Sequence, residues 1–160
     1  MPDIAPCLWF DGQAEEAARF YTTVFPNSSI GTISRYGEGA PFPAGTALLV
    51  EFTLHGRPFQ ALNGGPHFSF SEAVSFSADC ANQDEIDHYW SALIADGGTP
   101  GQCGWLKDRY GLSWQIVPDA IVRMLKAGTA EQIGRMYGAL FAMTKLDIAT
   151  LEAAFQGEGQ

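Results

Sequence analysis

The sequence predicts an α+β fold: two copies of one strand–helix–three-strand module, βαβββ, followed by a helical extension. Three observations carry this. The first is an internal repeat. Glu15-Glu16 and Phe20-Tyr21 return as Asp84-Glu85 and Tyr89-Trp90 at an offset of 69, and Gly56-Arg57-Pro58-Phe59-Gln60-Ala61 returns as Gly111-Leu112-Ser113-Trp114-Gln115-Ile116 at an offset of 55. The offsets differ because the first half carries an extra Gly/Pro-rich loop, Gly37 to Gly45. The second is that each half reads as one amphipathic helix among short strand-like runs. The third is a change to purely helical texture after Pro118.

The elements follow in order. Ile4 to Phe10 reads as a strand. Gln13 to Phe25 reads as a helix, with Ala17, Phe20, Tyr21 and Val24 at helical spacing and a stop at Pro26-Asn27. Strands are expected at Ser29 to Tyr36, Thr46 to His55 and Pro58 to Asn63, with His55-Gly56-Arg57-Pro58 as a hairpin turn. Asn63-Gly64-Gly65-Pro66 closes the module. The second module opens with a strand at Ala73 to Asp79. Its helix starts on the capping box Asn82-Gln83-Asp84-Glu85, buries Ile86, Tyr89, Trp90, Leu93 and Ile94, and ends at Gly97-Gly98. Short strands are expected around Gly101 to Cys103, Trp105 to Arg109 and Leu112 to Val117.

The extension reads as three helices: Asp119 to Ala127, a second opened by the capping box Thr129-Ala130-Glu131-Gln132 and running to about Met143, and a third capped by Asp147 and running through Phe155. Its apolar face (Met124, Met136, Tyr137, Leu140, Phe141, Met143) either packs on its own domain or supports a dimer. The boundaries are residues 1–66, 67–118 and 119–160, all within one structural domain.

Composition excludes several classes. The chain has 160 residues, 46% of them apolar, enough for a real core. Its net charge is −9, and its 9 Lys and Arg are not clustered, which argues against a nucleic-acid partner. The three cysteines, Cys7, Cys80 and Cys103, are widely spaced with no CxxC, so we expect free buried thiols, not a disulfide framework or a zinc site. No apolar run is long enough to span a membrane, and Met1 to Phe10 lacks a signal-peptide pattern. A cytoplasmic location is expected.

Leu8-Trp9-Phe10-Asp11-Gly12, Glu15-Glu16-Ala17, Phe20-Tyr21, Phe25-Pro26-Asn27-Ser28, Ala61-Leu62-Asn63-Gly64-Gly65-Pro66 and the stretch from Trp105 to Pro118 resemble the PhnB-like proteins. These are a branch of the vicinal oxygen chelate superfamily, with glyoxalase I, extradiol dioxygenases and bleomycin resistance proteins. The resemblance implies a glyoxalase/bleomycin resistance fold with eight strands around a cleft, and a homodimer. Members of the branch often carry the label 3-demethylubiquinone-9 3-methyltransferase. The sequence lacks the glycine-rich strand-to-helix turn that such a cofactor site needs; Gly97-Gly98, Gly101 and Gly104 follow a helix and precede strands.

The resemblance also implies where a metal would bind, on four side chains from the first and last strand of each module, mostly His and Glu. The repeat places the last-strand positions at Gln60 and Gln115. Amides are weaker ligands than carboxylates for a hard cation, the first strand carries no histidine or carboxylate, and the fifth, through Ala73, Val74, Ser75, Phe76 and Ser77, offers no imidazole. No metal or other cofactor is therefore expected, with a divalent metal, held through Gln60, Gln115 and His67, as the alternative. The expected partner is a small organic molecule, with Trp9, Gln60, Asn63, His67, Trp105, Lys107 and Gln115 lining its site. Lys107, together with Arg109 if the strand stays regular, would attract an anion; the other reading is that both balance nearby acidic residues. His55 at a turn and His88 on a wet helix face are not candidates. The competing functions are a metal-dependent lyase, isomerase or dioxygenase and a drug-sequestering protein, and the residues assign no reaction.

Overall fold

The computed structural model describes residues 4–158, and these form two compact units, one ending at Phe70 and the other beginning at Ser71. The first unit contains β1 (Cys7–Phe10), α1 (Ala14–Val24), β2 (Ser29–Arg35), β3 (Ala47–Leu54) and β4 (Arg57–Asn63). Its four strands form one sheet in the order β1-β4-β3-β2, with β1 parallel to β4 and the other pairs antiparallel. The second unit repeats the plan with β5 (Ser75–Cys80), α2 (Gln83–Ile94), β6 (Thr99–Pro100), β7 (Trp105–Lys107) and β8 (Ser113–Pro118), in the order β5-β8-β7-β6. Helices α3 (Asp119–Ala127), α4 (Ala130–Phe141) and α5 (Ile148–Gln156) belong to this second unit. The α+β reading as two βαβββ modules with a helical extension holds.

Strand bounds differ from expectation most at β1 and β6, while β5 starts two residues later, at Ser75, and β7 ends two residues sooner, at Lys107. β1 starts at Cys7, not Ile4, because Pro6 has no N–H to give the ladder and takes part only through its carbonyl, which accepts from Gln60 N. β6 lies at Thr99–Pro100, not Gly101–Cys103, because Cys103 (φ 58°) and Gly104 (φ 82°) take left-handed backbone and turn the chain into β7.

Alternation along the strands fills the first core. Leu8, Phe10, Val50, Phe52, Leu54 and Ala61 are buried, as are Ala14, Ala17, Ala18, Tyr21 and Val24 of α1. Small residues early in α1 let the helix approach the sheet, and Tyr21 stacks on Phe52 with ring centroids 6.5 Å apart. Each fully buried side chain of Val to Phe size contributes roughly 1.5–3 kcal/mol. The β3–β4 hairpin turns on His55 and Gly56, both at positive φ (49° and 73°), the two-residue turn whose twist matches the strands.

The end of β4 is tied down in three ways. The Asn63 side chain is 1% exposed; its Oδ1 accepts from Ala14 N at 2.9 Å and its Nδ2 donates to the Ala47 carbonyl at 2.9 Å. The Tyr36 hydroxyl donates to the Asn63 carbonyl at 2.6 Å. Trp9 Nε1 donates to the Gly65 carbonyl at 2.8 Å, and the Trp9 ring meets Phe68 edge-on at 4.9 Å. Phe10 and Phe70 form a second edge contact at 5.3 Å, so the first unit runs past Pro66 to Phe70.

In the second unit Ile86, Tyr89, Trp90 and Leu93 of α2 are buried, with α2 lying across β5, β7 and β8. The extension builds its own core from Ala120, Ile121, Met124, Met136, Leu140, Leu146, Leu151 and Phe155, with Cys103 and Val117 packed against it. Polar contacts fasten it to α2. Gln83 Oε1 accepts from Ile148 N at 2.9 Å, Gln83 Nε2 donates to the Leu146 carbonyl at 3.2 Å, and Lys145 pairs with Asp87. The expected caps are present. Asn82 accepts from Glu85 N, Thr129 and Gln132 form a reciprocal box, and Asp147 accepts from Thr150 N.

Two predictions follow from these contacts. A Cβ on Gly64 would lie 2.2 Å from the Trp9 ring, which its hydrogen bond and Phe68 hold in place. We expect Gly64→Ala to cost about 1–3 kcal/mol in urea unfolding and to alter the near-ultraviolet dichroism, as overpacking does. The second concerns acid. The cap hydrogen bond from Thr150 holds the Asp147 carboxyl below its ordinary value of 3.8, and the Lys145 ammonium does the same for Asp87. Their contribution is therefore present above pH 3.8 and is lost as pH falls through the lower folded values. Asp147→Asn keeps a capping oxygen that does not titrate. Its urea midpoint should match wild type near neutrality and lie above it near about pH 3.

Candidate functional site

In each sheet one face packs on the module's helix and the other faces away from it. In the first sheet the helix face takes Leu8, Phe10, Phe52, Phe59, Ala61 and Asn63. The opposite face carries Cys7 and Trp9 from β1, Gln60 and Leu62 from β4, and Leu49 and Glu51 from β3. Register sets Cys7 beside Gln60 and Gln60 beside Glu51, a row of thiol, amide and carboxylate across three strands. Cys7 is exposed, contrary to the expectation of a buried thiol. Partial desolvation still pushes its thiol above the ordinary value of 9.0.

In the second sheet β8 sends Trp114 and Ile116 to the helix side and Ser113 and Gln115 to the other. Trp105 lies beside Gln115, Lys107 and Ser75 flank Ser113, and Ser77 lies beside Gln115 on β5. Gln115 Nε2 donates to Ser75 Oγ at 2.9 Å. Lys107 Nζ pairs with Glu72 at 2.5 Å. Cys80 lies on the helix side. Burial, reinforced by the carboxylates of Glu85, Asp79 and Asp119, pushes its thiol up to about 12, so it stays a neutral, inert group.

Of the candidates, the first unit thus brings Trp9 and Gln60 to one face, and the second brings Trp105, Lys107 and Gln115 to one face. Asn63 is on the helix side of β4, with both ends of its amide engaged in the fold. His67 is exposed in the turn beyond β4 and belongs to neither sheet face. Arg109 does not continue the line of Trp105 and Lys107. β7 stops at Lys107, the chain turns at Asp108, and Arg109 Nη2 pairs with Asp96 at 2.8 Å.

Asp108 is the residue the sequence reading passed over. Its side chain is 2% exposed, and three N–H groups converge on it: Oδ1 accepts from Tyr110 N at 2.9 Å and Leu112 N at 3.0 Å, and Oδ2 accepts from Trp114 Nε1 at 2.9 Å. A carboxylate is the side chain that offers only acceptors, so it suits a place where every neighbour donates. The signal was present in Asp108-Arg109-Tyr110-Gly111, with Asp opening the turn and Gly closing it. Gly111 N donates to the Asp108 carbonyl at 2.9 Å, and Gly111 has φ 82°.

This βαβββ pair with one helix per sheet is the vicinal oxygen chelate fold. The sequence matches the family described as 3-demethylubiquinone-9 3-methyltransferase over residues 2–117. Among solved structures, a PhnB protein from Bacillus cereus is 36% identical with a TM-score of 0.68, over 73% of this chain and 99% of that one. The chain belongs to this PhnB-like family. A Pseudomonas aeruginosa protein of known structure shares the fold, with a TM-score of 0.60 at 19% identity over 74% of this chain and 98% of its own. So does a fosfomycin resistance protein, FosX, from Listeria monocytogenes, with a TM-score of 0.50 at 12% identity over 83% and 98%. No curated protein matches the chain.

Register sets one first-strand side chain beside each last-strand glutamine: Cys7 beside Gln60 in the first unit and Ser77 beside Gln115 in the second. Neither pair brings a carboxylate or an imidazole, and desolvation raises the Cys7 thiol above its ordinary value. Neither pair by itself suits a hard divalent cation.

Replacing Asp108 tests what holds the β7–β8 turn. Asp108→Asn puts an NH2 where an acceptor is needed and sets it against a donor. We expect a loss of about 1–3 kcal/mol in guanidinium unfolding and a shift in tryptophan emission from the indole of Trp114.

Proposed function

We propose that this protein binds a small organic molecule on a sheet face turned away from its helix, without a tightly bound divalent metal. The observation that carries the reading is the pairing of Cys7 with Gln60 in the first unit and of Ser77 with Gln115 in the second, neither of which holds a carboxylate or an imidazole. In the first unit Trp9 and Leu62 supply apolar contact area and Gln60 a polar handle; in the second Trp105 supplies the one and Gln115 and Lys107 the other. We include a homodimer in this reading. Val122, Leu125 and Phe141 of the helical extension are exposed and would gain from cover.

Methyl transfer, which the family's name describes, is not part of the proposal. A nucleotide-type cofactor is usually received on free first-turn amides at the start of a helix after a glycine-rich turn. Here the strand-to-helix connections within the modules are Asp11-Gly12-Gln13 and Ala81-Asn82, and β8 runs straight into α3 at Pro118-Asp119 with no glycine. The first-turn amide of Ala14 is already taken by Asn63, and that of Glu85 by Asn82.

Elemental analysis of protein purified without chelator is the test. Substoichiometric divalent metal is expected, together with a melting temperature unmoved by dialysis against a chelator. One tightly held ion per chain would sink the metal-free reading. A thermal-shift screen of neutral and anionic aromatic compounds, with chain mass measured by light scattering, would then examine ligand binding and the dimer.

A further inference from the structure

Ser113 is 1% exposed, and its Oγ finds no hydrogen bond among the described residues. An orphaned hydroxyl of this kind costs about 1–3 kcal/mol, so it calls for a reason. Its neighbours supply one. Ser113 lies between Ser75 on β5 and Lys107 on β7, directly opposite each across the ladder. On the antiparallel side Lys107 starts about 4.5–5.5 Å from Ser113, and since the Ser113 hydroxyl is covered, a group that reaches all three side chains must displace that cover. Ser75 Oγ accepts from Gln115 Nε2, which leaves the Ser75 hydroxyl proton to be donated elsewhere. The row therefore offers two hydroxyl donors and an ammonium, a set that complements a negative oxygen group.

A negative oxygen group is already close by. Glu72, just before β5, places a carboxylate oxygen 2.5 Å from Lys107 Nζ, and its side chain is 62% exposed. The ion pair with Lys107 holds the Glu72 carboxyl below its ordinary value. An exposed carboxylate at the end of a short loop is readily exchanged, because a surface pair of this kind contributes little.

We propose that Ser75, Ser113 and Lys107 form a subsite for the oxyanion end of a small ligand, a carboxylate or phosphate-type group, and that Glu72 occupies its cationic end until the ligand arrives. Trp105, next to Gln115 on the same face, then lies beside the body of the ligand. This rests on the small-molecule reading above and specifies the charge and the anchoring end of the molecule. In a chain of net charge −9, it also gives an anion one local point of attraction.

The test compares benzoate with benzamide, its neutral counterpart, by nuclear magnetic resonance titration of the full chain, with inorganic phosphate as a second anionic probe. Glu72→Gln should bind benzoate about tenfold more tightly than wild type, with the amides of Ser113 and Lys107 shifting first. Benzamide should gain nothing from that change. Lys107→Met should bring benzoate down to the level of benzamide. Ser113→Ala should weaken benzoate several-fold while leaving the melting temperature unchanged or higher, since it removes an unsatisfied hydroxyl. Phosphate competing with benzoate extends the subsite to tetrahedral anions, and failure to compete limits it to carboxylates. If Glu72→Gln binds benzoate no better than benzamide, the oxyanion subsite is wrong and the small-molecule reading survives. If that variant binds neither while the wider screen yields a neutral ligand, again only the subsite falls; if the screen is also empty, both fall.

Discussion

The first unit depends on one amide. Asn63 ends β4 on the buried side, where its oxygen takes the first-turn N–H of α1 and its nitrogen satisfies a carbonyl at the start of β3. One side chain thus fixes where the helix begins relative to two strands. It does so in a dry setting, where each of those backbone groups would be costly to leave unpaired. The residues that follow complete the arrangement. The Gly64 position has no room for a side chain beneath the Trp9 ring, and the Gly65 carbonyl receives the indole N–H. The Asn-Gly-Gly segment is therefore needed by the fold itself. The second unit solves the corresponding problem with Asp108, whose carboxylate gathers two backbone amides and an indole at the β7–β8 turn.

Much of the fold was legible in the sequence because its signals are local. Helix caps at Asn82, Thr129 and Asp147, the His55-Gly56 turn and the alternating strands are short-range features, and they held. The repeat added the long-range pairing, since two halves that match must pair their strands alike. What the sequence hid was which face a strand residue takes when its surroundings decide. Asn63 reads as a turn former beside glycines, and only the parallel pairing of β1 with β4 shows it facing the helix. Asp108 was masked by its charged neighbours Lys107 and Arg109, which drew attention to surface charge. The strand expected over Trp105 to Arg109 stops at Lys107, where Asp108 turns inward to accept from its donors.

The candidate site was legible in part. The repeat, read with the strand positions that the resemblance implies, picks out Gln60 and Gln115, and register adds Cys7 and Ser77 as their first-strand neighbours. Gln115 ties β8 to β5 through Ser75, but the buried ties that set the backbone within each unit come from Asn63 and Asp108, away from these four positions. That separation explains how one fold can host metal-dependent enzymes and binding proteins alike. Ser113 could not have been singled out in advance. A serine in a strand is unremarkable until its burial and the lack of a partner are both known.

The loop between β2 and β3, at first sight a dispensable insertion, is one feature of the first module that the second does not repeat. Phe42 from that loop stacks on Tyr36 at 5.3 Å, and Tyr36 in turn donates its hydroxyl proton to the Asn63 carbonyl. The insertion therefore buttresses the residue on which its unit rests. Trimming the chain back to exact symmetry would therefore remove a brace from the first unit instead of an ornament.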